Sequence, residues 1–107
     1  MKHSVINNQG RLTAEGITDI STAMTGYEFE SPKHLLHILA ALRNFQAYEQ
    51  ACINLEPANV ITHEWLLHST VELDRQLSSI LVKLSRAEKF IDQNNRVVEL
   101  HNVAEFG

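Results

Sequence analysis

Between Leu66 and Ile91 the apolar residues recur at alternating steps of four and three. Leu66, Leu73, Ile80 and Ala87 form one row, and Leu77, Leu84 and Ile91 form the row four residues on. That spacing is the seam of a coiled-coil-like helix. It predicts a long helix over 62–93, with Thr62 as its N-cap and Ile61 and Leu66 as a hydrophobic staple. Such a helix is about 46 Å long at 1.5 Å per residue, and its seam must lie against something.

Upstream, Ser31-Pro32 is a start signal, with serine as N-cap and proline at the first helical position. A second long helix is predicted over 32–55. Leu35, Ile38, Leu42, Phe45 and Cys52 run down one stripe, and Leu36, Leu39, Ala40, Ala41 and Ala47 widen it. A helix apolar around so much of its first half is expected to lie centrally and be touched from two sides. The connection "EPAN" is too short for anything but an antiparallel return. A third, shorter helix is predicted over 14–25. Thr13 is its N-cap, Ile17, Ile20 and Met24 share one face, and Gly26 ends it. Gly16 and several hydroxyl residues weaken it.

Residues 1–11 read as an irregular arm in which Val5 and Ile6 either form a brief strand or pack down. Asn94-Asn95 is a break or cap. The segment 96–106 continues as helix or turns into a short strand, the β-branched Val97-Val98 keeping the second reading open. No internal repeat or dividing linker is evident. The expected fold is therefore one all-α domain: an antiparallel helical hairpin of two long helices plus a short N-terminal helix. The overhanging apolar face needs a cover, and a homodimer closing a four-helix bundle is the natural solution.

Composition then narrows the function. The chain has 107 residues, 44% of them apolar and 21% charged, which is ordinary for one globular domain. Its net charge of −4 argues against a dedicated nucleic-acid binder, which needs a basic face. One cysteine, Cys52, rules out an internal disulfide and suits a reducing, cytoplasmic setting. The longest apolar run, "LLHILAAL", is far short of the ~20 residues that span a bilayer.

The stretch "HEWLLH" looks like a zinc-protease signature. That signature needs histidines at i and i+4. His63 and His68 stand at i and i+5, which leaves their rings about 140° apart around a helix. They cannot share a metal there. His34 and His37 have better spacing, but the facing stretch "ILVKLSR" offers no further ligand. Cys52 lies in an apolar stripe with Glu49 nearby, where a thiolate is disfavoured. Glu72, Asp74 and Glu88 read as solvated charges. No phosphate loop or nucleophile elbow occurs. No catalytic residue, metal ligand or cofactor is expected.

Arg96 and His101 have the R-x4-H spacing that resembles the catalytic motif of HEPN-type ribonucleases, which are small helical proteins. The polar residue that usually follows the arginine is Val97 here. The resemblance implies a helical ribonuclease. A nucleic-acid-associated regulator is the other alternative, carried by Lys83, Arg86 and Lys89 at i, i+3, i+6, with Arg75 further up the helix. The leading expectation is a non-enzymatic protein–protein interaction module, an adaptor, inhibitor or accessory subunit acting sterically through a helical face. Tyr48, Trp65 and His68, near the hairpin end, are the candidate partner-interface residues.

Overall fold

A computed structural model describes residues 3–25 and 30–98. Three α-helices carry most of them: α1 Ala14–Ala23, α2 Ser31–Leu55 and α3 Val60–Ala87, with one turn of 3-10 helix at Pro57–Asn59. The fold is all-α, and the two long helices pack together. Glu49 meets His63 and Arg43 meets Asp74, so the two helices run in opposite directions. No described helix is long and apolar enough to cross a membrane. The body is elongated, 61 × 26 × 19 Å.

Local chemistry sets the helix ends. Thr13 caps α1 as expected, its hydroxyl accepting from the Gly16 N–H at 2.8 Å. The helix stops at Ala23, two residues short of the predicted end. Ser31 proves to be the first helical residue of α2, not its cap. Thr62 lies inside α3, and Ile61 is 80% exposed, so the predicted staple does not form. α3 ends at Ala87, six residues earlier than its apolar pattern suggests. Lys89 takes a left-handed φ of 65°, donating to the Arg86 carbonyl while Phe90 N–H donates to Ser85 O. That is a Schellman ending. Its left-handed position is filled by lysine where glycine is usual, which hides it from a sequence reading.

The largest correction concerns what faces inward. The buried residues of α3 are Thr70, Asp74, Ser78, Leu81, Val82 and Ser85. They form a row beside the predicted seam and are mostly polar. On α2 the buried residues are Pro32, Leu36, Leu39, Gln46, Glu49 and Cys52. The predicted seam residues Leu73 and Ile80 are 53% and 52% exposed, and Ile38 and Phe45 of the predicted α2 stripe are 56% and 40% exposed. α2 is touched from two sides, by α3 and by a cover that lies over one face of the pair, while its Ile38–Phe45 side stays open.

That cover comes from both ends of the chain. Residues 5–13 and 90–98 form two tight loops of the same design. Ile6 bridges Leu12 and Ile91 bridges Val97. The Asn7 side chain accepts from the N–H groups of Gln9 and Arg11, and Asp92 does the same for Asn94 and Arg96. Gly10 and Asn95 occupy the left-handed corner at φ 77° and 62°. Thr13 N–H closes onto Val5 O at 2.8 Å, and Val98 N–H onto Phe90 O at 2.8 Å. "INNQGRL" and "IDQNNRV" therefore form a short internal repeat, contrary to the reading that none exists. A direct bond joins the loops, Val5 N–H to Asn95 O at 2.7 Å. Together with α1 they seal the core of Val5, Leu12, Ile20, Met24, Leu36, Leu39, Leu81, Val82, Phe90 and Ile91.

Gly16 has a specific part here. A Cβ at this position would lie 2.5 Å from Val5 O and 2.7 Å from Val5 Cα. The residue that weakens α1 by propensity is the one that lets the loop backbone sit on it.

Candidate functional site

Three features stand out along the α2–α3 pair. The first, near its middle, is a buried charge hub. Asp74 is fully buried and accepts five hydrogen bonds. Arg43 donates Nε to Oδ2 at 2.9 Å and a terminal nitrogen to Oδ1 at 3.1 Å. Arg11 donates to Oδ2 at 2.9 Å, Gln46 at 3.2 Å, and Ser78 donates to Oδ1 at 3.0 Å. Burial alone would push the carboxyl up. The donors, Arg43 first and then Arg11 and Gln46, outweigh it and hold Asp74 well below the usual carboxylate range. The reading of Asp74 as a solvated charge is overturned, because the helix turns that row inward. Arg43 also donates to Leu12 O at 2.6 Å, and Leu12 N–H donates to Ser78 at 3.0 Å. The hub thus ties the N-terminal loop to both helices.

The second is the open apolar face. Ile38 and Leu42 of α2 with Leu73, Leu77 and Ile80 of α3 line a groove of about 280 Å³, with Gln76 at its edge. Phe45 extends it, and Tyr48 stacks on Phe45 with ring centroids 6.3 Å apart and planes 23° from parallel. Ile38, Phe45, Tyr48, Leu73 and Ile80 are each 40–61% exposed. Side chains of their size then leave on the order of 500 Å² of apolar surface in one band. The largest patch on a typical monomer is about 300–600 Å² and is often functional.

The third feature is the tip, where α2 turns into α3. His63 lies between two carboxylates. Its Nδ1 is 2.6 Å from Glu49, whose side chain is 3% exposed, and its Nε2 is 3.3 Å from Glu56, whose side chain is 55% exposed. The bond to Glu49 raises the pKa of His63 above its ordinary 6.5, against the opposing effect of burial, and Glu56 adds to the rise. Cys52 is buried beside them. A hydrogen bond with Cys52 is the main reason the Tyr48 hydroxyl is raised above 10.0.

The three residues expected to meet a partner are all exposed. Tyr48 belongs to the open band. Trp65, 65% exposed, stands nine steps before Asp74, about half a turn around α3 from the buried row. It points away from α2. The basic patch loses its geometry, because Lys89 lies beyond the end of α3 and Arg86 donates to the Asn95 side chain. Arg75 pairs with Glu72 and donates to Gln9 O. Arg96 lies in the loop 90–98, beyond the last helix of the described residues, and His101 lies outside the described residues.

No protein-family model, curated protein or solved structure matches this chain.

Proposed function

We propose that this chain is a non-enzymatic protein–protein interaction module acting sterically through the open α2–α3 face. Its first occupant is a second copy, which completes a four-helix bundle. One observation carries the reading: the heptad residues Leu73 and Ile80 lie uncovered opposite Ile38 and Phe45, while the neighbouring polar row is buried. A heptad row is what a further helix layer packs against. The size agrees. A stable interface buries about 800 Å² per partner, of which roughly 56–65% is apolar. The open band supplies about that apolar share.

In such a bundle Ile61 and Trp65 remain outside, on the far side of α3. They are then presented twice, as an aromatic and aliphatic anchor for a further protein, which is the adaptor role in its simplest form.

Light scattering coupled to size-exclusion chromatography tests this. The native chain is expected at twice 12.1 kDa. Leu73→Asp and Ile80→Asp are expected at the monomer mass with unchanged helical circular dichroism. A native chain that runs as a monomer at micromolar concentration overturns the reading.

A further inference from the structure

The tip of the α2–α3 pair carries more donor chemistry than a turn requires. Cys52 lies in the last turn of α2 and Glu56 is the residue that caps it, its N–H donating to the Cys52 carbonyl at 2.8 Å. The chain then turns through Pro57–Asn59, and His63 returns from the first turn of α3 to meet them. One donor atom from each of Cys52, Glu56 and His63 lies within 4.8 Å of the other two. Thiolate, carboxylate and imidazole are the three ligand types that zinc takes. A tetrahedral zinc with bonds of about 2.0–2.3 Å holds its donors roughly 3.3–3.7 Å apart. The remaining contraction is within reach of a rotamer change at Glu56, whose side chain is 55% exposed.

A separate observation concerns the other nitrogen of His63. Glu49 is 2% exposed, and its carboxylate lies 2.6 Å from Nδ1. A carboxylate behind a ligating histidine fixes the ring and its tautomer and makes the far nitrogen the better ligand. With the proton held on Nδ1, Nε2 faces Glu56, on the side where the donors gather. Packing alone gives no reason for a buried glutamate here, because an apolar residue would fill the position without the cost of desolvating a charge.

We propose that Cys52, Glu56 and His63 form a zinc site, with Glu49 orienting His63 from behind and a fourth position open to water or an incoming ligand. Cys52 as thiolate and Glu56 as carboxylate carry two negative charges, which one divalent cation neutralises. Binding releases the thiol proton and any proton on Nε2. The cation would clasp the end of α2 to the start of α3, at the tip that displays Ile61 and Trp65. The site does not depend on the open face, so Leu73→Asp is expected to bind zinc as the native chain does.

The test is titration of the reduced, metal-free full chain with Zn²⁺ by calorimetry, and with Co²⁺ by absorption. The expected result is one ion per chain and a near-ultraviolet band from thiolate-to-cobalt charge transfer. Cys52→Ser is expected to abolish that band, and His63→Ala to weaken zinc binding by at least ~10-fold. Glu49→Gln is expected to weaken it about 10–100-fold while keeping the band. The exposed Glu56→Gln serves as the variant that leaves the fold undisturbed, and it too is expected to weaken binding. Circular dichroism confirms that each variant is folded. A folded native chain that takes up no zinc at stoichiometric concentration overturns the proposal. So does binding that Cys52→Ser and Glu56→Gln leave unchanged, because the ion then sits elsewhere.

Discussion

Replacing Asp74 with alanine is expected to be among the most damaging single changes to the fold. The substitution leaves the Arg43 and Arg11 guanidiniums facing each other without their shared anion. It also strands the donors of Gln46 and Ser78. Removing one partner of a buried ion pair costs about 3–5 kcal/mol. Arg11 and Arg43 are each 23% exposed along their side chains, so water screens part of their mutual repulsion. The expected loss is therefore at the lower end, about 3 kcal/mol, against a total stability of roughly 5–15 kcal/mol for a domain. Each kcal/mol shifts the melting temperature by about 4–8 °C at this size, so the shift exceeds about 12 °C. Asp74→Asn retains the shape but places an N–H where a donor now arrives, and it is expected to lose less, about 2 kcal/mol.

The pH dependence separates a charge effect from a packing effect. The folded carboxyl lies below the unfolded value of about 3.9. Its contribution is therefore complete above that value and is lost as pH falls through the folded one. Urea denaturation of the native chain and Asp74→Ala, followed from pH 7 down to pH 3, is expected to show a difference that is flat at first and narrows below about pH 4. A loss under 1 kcal/mol at pH 7, or a difference that ignores pH, would refute the hub as an electrostatic tie.

Four further outcomes follow from the geometry. Gly16→Ala would gain about 1 kcal/mol in a free helix, but the added methyl meets Val5 backbone at 2.5 Å, so a net loss of about 1–3 kcal/mol is expected by thermal melting. Lys89→Gly removes a side chain from a left-handed position and is expected to stabilise by about 1 kcal/mol in chemical denaturation. Under monomeric conditions Leu39→Ala, at a fully buried position, is expected to cost about 2–5 kcal/mol, whereas Leu73→Gln on the open face stays within about 0.5 kcal/mol. If two copies share the bundle, the melting temperature rises with protein concentration for the native chain and not for Leu73→Asp.

Helix type and order were legible because Ser31-Pro32, Thr13 and the long apolar periods are local signals. Helix orientation was harder. The heptad pattern of α3 is real, but a period says only that a face must be covered, not which neighbour covers it. Leu66, Leu73 and Ile80 mark a seam without naming its partner, and the row that meets α2 stays open at that level. Thr70, Asp74 and Ser78 form that row, because Arg43 and Gln46 of α2 and Arg11 of the loop supply donors for Asp74 and for the Thr70 carbonyl. Those partners lie 24–63 residues away along the chain, beyond any local window. The tip cluster was missed for a related reason. On its own helix His63 has only His68 for company, while Glu49, Cys52 and Glu56 lie across the turn. The C-x3-E-x6-H spacing around "EPAN" was the signal available. The loop repeat escaped because its two copies share only isoleucine and arginine, the rest being matched by conformation: Asn for Asp, Gly for Asn.

A helix pair with a polar inner row gains register more than it gains hydrophobic burial. Asp74 meets Arg43, Arg11, Gln46 and Ser78 together only at one alignment of α2, α3 and the N-terminal loop. A slip of one turn, about 5.4 Å, would strand Arg43, Arg11 and Gln46, and only the Ser78 bond, which lies within α3, would survive. Leucines along the same row would tolerate such a slip far better. The apolar driving force must then come from the outer faces of the pair. One of them is sealed by α1 and the two loops, where the buried core gathers. The other holds Ile38, Phe45, Leu73 and Ile80 in place, at fixed register, with their surfaces still in water. Rigid, pre-aligned apolar rows lose little conformational freedom on association. The hub that places charge in the interior thus fixes the register of the open apolar rows, as the proposed docking requires.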